Sequence, residues 1–75
     1  MMPLEFIPIL SFLIMKIQYY EEFDRPEVDG GQVIRFIWCE EIHQLHIGDY
    51  IELGELCQVY RVLHVFEDHV AILEI

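Results

Sequence analysis

From Ile47 to the end of the chain, structure breakers recur at intervals too short for helices. Gly48-Asp49 precedes Tyr50-Ile51-Glu52-Leu53, and Gly54-Glu55 follows it. Residues 57–66 are rich in β-branched and aromatic side chains, and Glu67-Asp68-His69 link them to Val70-Ala71-Ile72-Leu73-Glu74-Ile75. Short strands punctuated in this way predict a small antiparallel barrel or sandwich. The stretch from Leu45 to Phe66 is its organiser, supplying a turn and the longest strand. The last strand should pair within the sheet and not trail as a tail.

Upstream, Lys16 to Phe23 partly alternates, with Ile17, Tyr19 and Phe23 on one side and Gln18, Tyr20 and Glu22 on the other. This period of two reads as a strand. Asp24 to Gly31 collects turn formers and reads as a surface loop. Gln32 to Cys39 is β-branched and aromatic on both faces, as in a strand buried on both sides or at an interface, with Ile34, Phe36 and Trp38 sharing one face. Glu40 to His46 is a connection, either extended or forming one helical turn that brings Ile42 and Leu45 together.

The most apolar run, Leu4 to Met15, is far shorter than the ~20 residues a spanning helix needs, and Glu5 and Pro8 interrupt it. No Lys or Arg precedes Lys16, and no small-residue cleavage site follows the run, so a signal peptide is not expected. The readings left are a segment packing on the core or on a partner subunit, or an upstream extension with Met15-Lys16 resembling a start. The division is therefore one domain over residues 1–75, with an apolar segment over 1–15 and a β-barrel over 16–75.

At 75 residues a single core stabilises weakly, and small domains commonly add a metal, a disulfide or a second subunit. An apolar fraction of 55% excludes disorder and leaves surface for a partner, so a homodimer is the simplest expectation. Four basic residues against 14 acidic ones give a net charge of -10. Phosphate-backbone binding needs clustered Lys and Arg, whereas Lys16, Arg25, Arg35 and Arg61 are scattered, so direct nucleic-acid binding is not expected. A protein partner with a basic surface suits this charge better. Two cysteines and no Asn or Thr, hence no glycosylation sequon, point to reduced thiols in the cytoplasm.

The string Leu45-His-Ile-Gly-Asp-Tyr-Ile-Glu-Leu53, then Tyr60-Arg-Val-Leu-His-Val65 and Val70-Ala-Ile-Leu73, resembles the cadence of SH3-like small β-barrels over residues 32–75. The resemblance implies an all-β, SH3-like antiparallel barrel of about five strands. It implies no particular activity, because such barrels serve as peptide-binding, nucleic-acid-binding, assembly and phage-encoded inhibitor modules. The peptide-binding SH3 group pairs an acidic loop with an aromatic groove for proline-rich ligands. No groove motif of that group is recognisable here, so that activity is not carried over.

Three constellations are candidates for function. Cys39, His43, His46 and Cys57 supply the ligand types of a zinc site, but without the close cysteine pairs of a finger or knuckle. The expectation is no cofactor, with zinc as a weaker alternative and Cys39 as a buried strand end. His64, predicted on the same side as Tyr60, Val62 and Phe66, and His69, in the turn, read as residues of a solvated or interfacial face. Third, Glu21, Glu22, Asp24, Glu27 and Asp29 surround the first loop, and Glu40 and Glu41 follow the second strand, while Trp38 and the apolar N-terminal run are the aromatic and apolar surface expected to meet a partner subunit. Asp49, Glu52 and Glu55 extend this acidic set, and its plainer reading is a solvated face. No nucleophile has an orienting group and oxyanion site in view, and adjacent acids in a strand project to opposite faces, so an enzyme is not expected. The sequence thus predicts a non-catalytic, acidic protein-interaction module. Its rival is an inhibitor of the phage or mobile-element type, whose acidic surface blocks a basic nucleic-acid or nucleotide site on a host protein.

Overall fold

A computed structural model describes residues 14–55 and 58–75. It is an all-β half-barrel: one curled sheet of seven strands, with no α-helix among the described residues. The strands are β1 (Ile14–Ile17), β2 (Glu21–Glu22), β3 (Glu27–Asp29), β4 (Gln32–Trp38), β5 (Tyr50–Leu53), β6 (Val59–Val65) and β7 (Val70–Glu74). Five of them have four or more residues, and β2 and β3 are the short additions. The sheet order is β1-β5-β6-β7-β4-β2, with β3 also on β4. Every ladder is antiparallel except β1 on β5, which is parallel. Residues 1–13, which hold most of the apolar run Leu4 to Met15, and Cys57 lie outside the described residues, while Ile14 and Met15 at the end of that run open β1.

Two sequence expectations need correction. Lys16 to Phe23 is not one strand. It breaks after Ile17, and Tyr19 is 80% exposed, so Ile17, Tyr19 and Phe23 do not share a face. Its alternation was incomplete because each half follows a different neighbour, β1 on β5 and β2 on β4. The predicted loop 24–31 likewise contains β3, which turns back on β4 through Gly30-Gly31. Asp29 pairs with Gln32, leaving a two-residue loop whose glycines have φ of 61° and 84°. Positive φ at both central residues matches the right-handed twist of a hairpin, and side-chain-bearing residues rarely supply it.

Strand alternation sorts the side chains into two layers. Ile17, Ile51, Leu53, Tyr60, Val62, Ile72, Val70 and Ile37 fill the inner face of the curl. The terminal strand β7 is central, between β6 and β4, and its first three residues are buried. A half-barrel leaves its inner face open on one side. Here the connection Glu40–Gln44 forms a 3-10 helix, and Ile42 and Leu45 are buried in the same cluster. Of the two conformations open for this connection, the helical turn is the one adopted, bringing Ile42 and Leu45 together.

One irregularity decides which side chains reach the outside. Val62 pairs with Ile72 and His64 with Ala71, so β6 carries a bulge at Leu63. A bulge inserts one residue against the partner strand and shifts the alternation beyond it. His64 therefore leaves the side of the buried Tyr60 and Val62 and becomes exposed, contrary to the uninterrupted period of two.

Candidate interaction surface

The outer face gathers what the inner face does not bury. Ile34 and Phe36 are half-buried, opposite Leu73 and Ala71, and Trp38 follows them, 39% exposed. The Phe23 N–H donates to the Phe36 carbonyl at 2.7 Å, prolonging the β2 pairing and placing Phe23 beside Phe36. From the opposite side the link between β6 and β7 folds over, closed by the Phe66 N–H donating to the His69 carbonyl at 2.8 Å. The His69 ring then lies between two phenylalanines, with centroids 4.5 Å from Phe23 and 4.4 Å from Phe66 and interplanar angles of 6° and 14°. Phe36 meets His69 edge-on at 6.2 Å, and His64 meets Phe66 edge-on at 4.5 Å. Asp68 holds the imidazole in place through a 2.8 Å hydrogen bond between its Oδ1 and His69 Nδ1.

Beside this stack is an open cleft of about 310 Å³, lined by Phe23, Asp24, Glu27, Phe36 and His69. Its acids come from the link after β2 and from the start of β3: Asp24 follows Phe23, and Glu27 opens β3 opposite Ile34 on the outer face. The Oδ1 of Asp24 accepts the Arg25 N–H at 2.7 Å. Among the described residues neither carboxylate forms an ion pair, whereas Lys16 pairs with Glu52 and Arg35 with Glu22.

The predicted acidic constellation is thus divided. Glu21 is opposite Trp38, Glu22 is committed to Arg35 at 2.9 Å, and Asp29 stands at the hairpin opposite Gln32. Glu40 and Glu41 occupy the first turn of the 3-10 helix and do not line the cleft. Sequence reasoning missed Phe23, Phe36 and Phe66 as site residues, and treated His69 apart from them. Their convergence depends on the bulge, the β2–β4 pairing and the folded link, which leave no periodic trace.

Of the proposed zinc ligands, Cys39 is fully buried and free, while His43 and His46 are exposed. The His46 N–H donates to Asp49 Oδ2 at 2.8 Å, capping the turn before β5. Among the described residues no three His, Cys, Asp or Glu side chains are grouped to hold a metal ion. No helix among them is long and apolar enough to cross a membrane.

Burial pushes the Cys39 thiol above its ordinary range, and the nearby Glu41 charge adds to the shift. Burial likewise raises Tyr60, with Glu74 and Tyr20 adding and the Arg35 guanidinium opposing. Arg35 is itself raised: burial works against its charge, but the bond to Glu22 and the Tyr60 and Glu74 charges outweigh it. For a thiol or phenol raised on folding, the neutral form belongs to the folded state. Its stabilisation is complete below the unfolded pKa, about 8.5 for Cys and 10 for Tyr, and is lost as pH rises through the folded value. The urea midpoint should therefore fall as pH is raised from 8 to 10.5. Cys39→Ala should flatten the early part of that decline, and identical slopes would show that the thiol takes no part.

Comparisons with protein-family models, with curated proteins and with solved structures find no match to the chain. Its function therefore has to be read from its own surface.

Proposed function

We propose that this chain is a non-catalytic protein-interaction module, an SH3-like small barrel that meets its partner through the aromatic outer face beside the acidic excursion. The observation carrying this reading is the Phe23–His69–Phe66 stack, with Phe23 50% and Phe66 42% exposed. Rings assembled by packing yet left in water are the type of surface that interfaces bury at their centres.

The experiment is affinity capture with three immobilised forms: the parent chain, Phe23→Ser on the stack, and Tyr19→Ser as an exposed control away from it. Capture of a defined partner should be lost with Phe23→Ser and kept with Tyr19→Ser. Equal capture by all three would remove the aromatic face from the interaction.

A second reading, the acidic inhibitor, draws on one further observation. Every residue from Glu21 to Gly31 is exposed, and this arm carries Glu21, Glu22, Asp24, Glu27 and Asp29. An arm acting as a mimic of a phosphate backbone would release its partner steeply with salt, since exposed charges are screened over about 8 Å at physiological ionic strength. Capture dominated by the aromatic face would change little over the same salt range.

A further inference from the structure

We propose that the cleft lined by Phe23, Asp24, Glu27, Phe36 and His69 receives an arginine side chain from a basic segment of a protein partner. The inference rests on the interaction reading above and adds the chemistry of what is bound. Two phenyl rings and two carboxylates share one open cavity of about 310 Å³ with the edge of the His69 imidazole, whose faces Phe23 and Phe66 cover, and rings with carboxylates favour a cation over an anion. Ring faces attract cations through their quadrupoles, and carboxylates supply the opposite charge.

The surrounding charge agrees. Asp68 is hydrogen-bonded to His69, the chain carries a net charge of -10, and Lys16 and Arg35 are already paired with Glu52 and Glu22. Arg25, next to Asp24, meets it through the backbone N–H and forms no ion pair with it among the described residues. Asp24 and Glu27 therefore keep acceptor capacity for a cation from outside.

Planarity selects arginine over lysine. Phe23 stacks on His69 through one face and is 50% exposed, which leaves its other face open to a planar group, and Asp24 lines the same cleft. A guanidinium stacks on such a face while its fork of N–H donors meets carboxylate oxygens, whereas an ammonium is a compact, strongly hydrated point charge.

The test follows backbone amide resonances of the isotope-labelled chain during titration with three peptides of sequence Gly-Gly-X-Gly-Gly, where X is arginine, lysine or citrulline. Citrulline keeps the shape of arginine without its charge. The arginine peptide should shift Phe23, Asp24, Glu27, Phe36 and His69 selectively, the lysine peptide should bind more weakly, and citrulline should leave them unmoved. The double variant Asp24→Asn/Glu27→Gln should bind the arginine peptide about ten-fold more weakly or worse, as expected from losing charged hydrogen-bond partners. Its otherwise unchanged spectrum would establish that it folds. Equal responses to arginine and citrulline, equal responses to arginine and lysine, or no shifts at the cleft would each overturn the proposal. If these appear while Phe23→Ser still abolishes capture, the arginine assignment fails and the interaction surface stands. If Phe23→Ser leaves capture intact, the interaction reading itself fails.

Discussion

Ile72→Ala is expected to cost about 2 to 5 kcal/mol, the range for deleting a buried aliphatic side chain and leaving part of its volume empty. Ile72 is fully buried on the central strand β7, with Val62 opposite it on β6 and Arg35 opposite it on β4. The cavity would be bounded by strands hydrogen-bonded on both sides, which cannot collapse inward without breaking ladders. A domain of 75 residues has a total stability of about 4 to 11 kcal/mol. The substitution therefore removes a large share and should lower the urea midpoint strongly. Leu73→Ala, one residue on and half-buried on the outer face, serves as the comparison and should cost clearly less. Equal losses would mean that the outer face is packed as tightly as the inner one.

That contrast depends on strand alternation, which is also the part of the fold most legible in the sequence. The breakers Gly48-Asp49 and Gly54-Glu55 bracket β5, and Glu67-Asp68-His69 separate β6 from β7, because the chain takes positive φ at Gly48 and Gly54 and an exposed turn at Glu67-Asp68. Ile34, Phe36 and Trp38 share a face as their spacing requires. The parallel pairing of β1 with β5 was not legible, because it joins segments more than thirty residues apart through a contact with no local signature. Nor was β3, whose three residues are all exposed and so carry no apolar pattern. The candidate surface was legible only by composition. Asp24 and Glu27 were visible as acids and His69 as a turn residue, but the Leu63 bulge and the folded link between β6 and β7 set which rings they meet. A half-buried aromatic such as Phe36 reads in a sequence like core.

The other large effect is expected from emptying the open side of the half-barrel. Ile42→Ala/Leu45→Ala removes the two side chains that the 3-10 connection buries against the curled sheet. Each truncation alone should cost about 2 to 5 kcal/mol. The two neighbours share one cavity, so their effects need not add. The ladders lie within the sheet and do not depend on this connection, whereas the fixed packing of Tyr60, Ile51 and Leu53 does need a surface to pack against. The double variant should accordingly keep its β-type far-ultraviolet circular dichroism, lose the near-ultraviolet signal and the sharp thermal transition, and bind a hydrophobic dye, the signature of a compact state without fixed packing. A double variant that melts as sharply as the parent, at nearly the same temperature, would place closure of the core in the curvature of the sheet itself and leave the 3-10 connection as a cover.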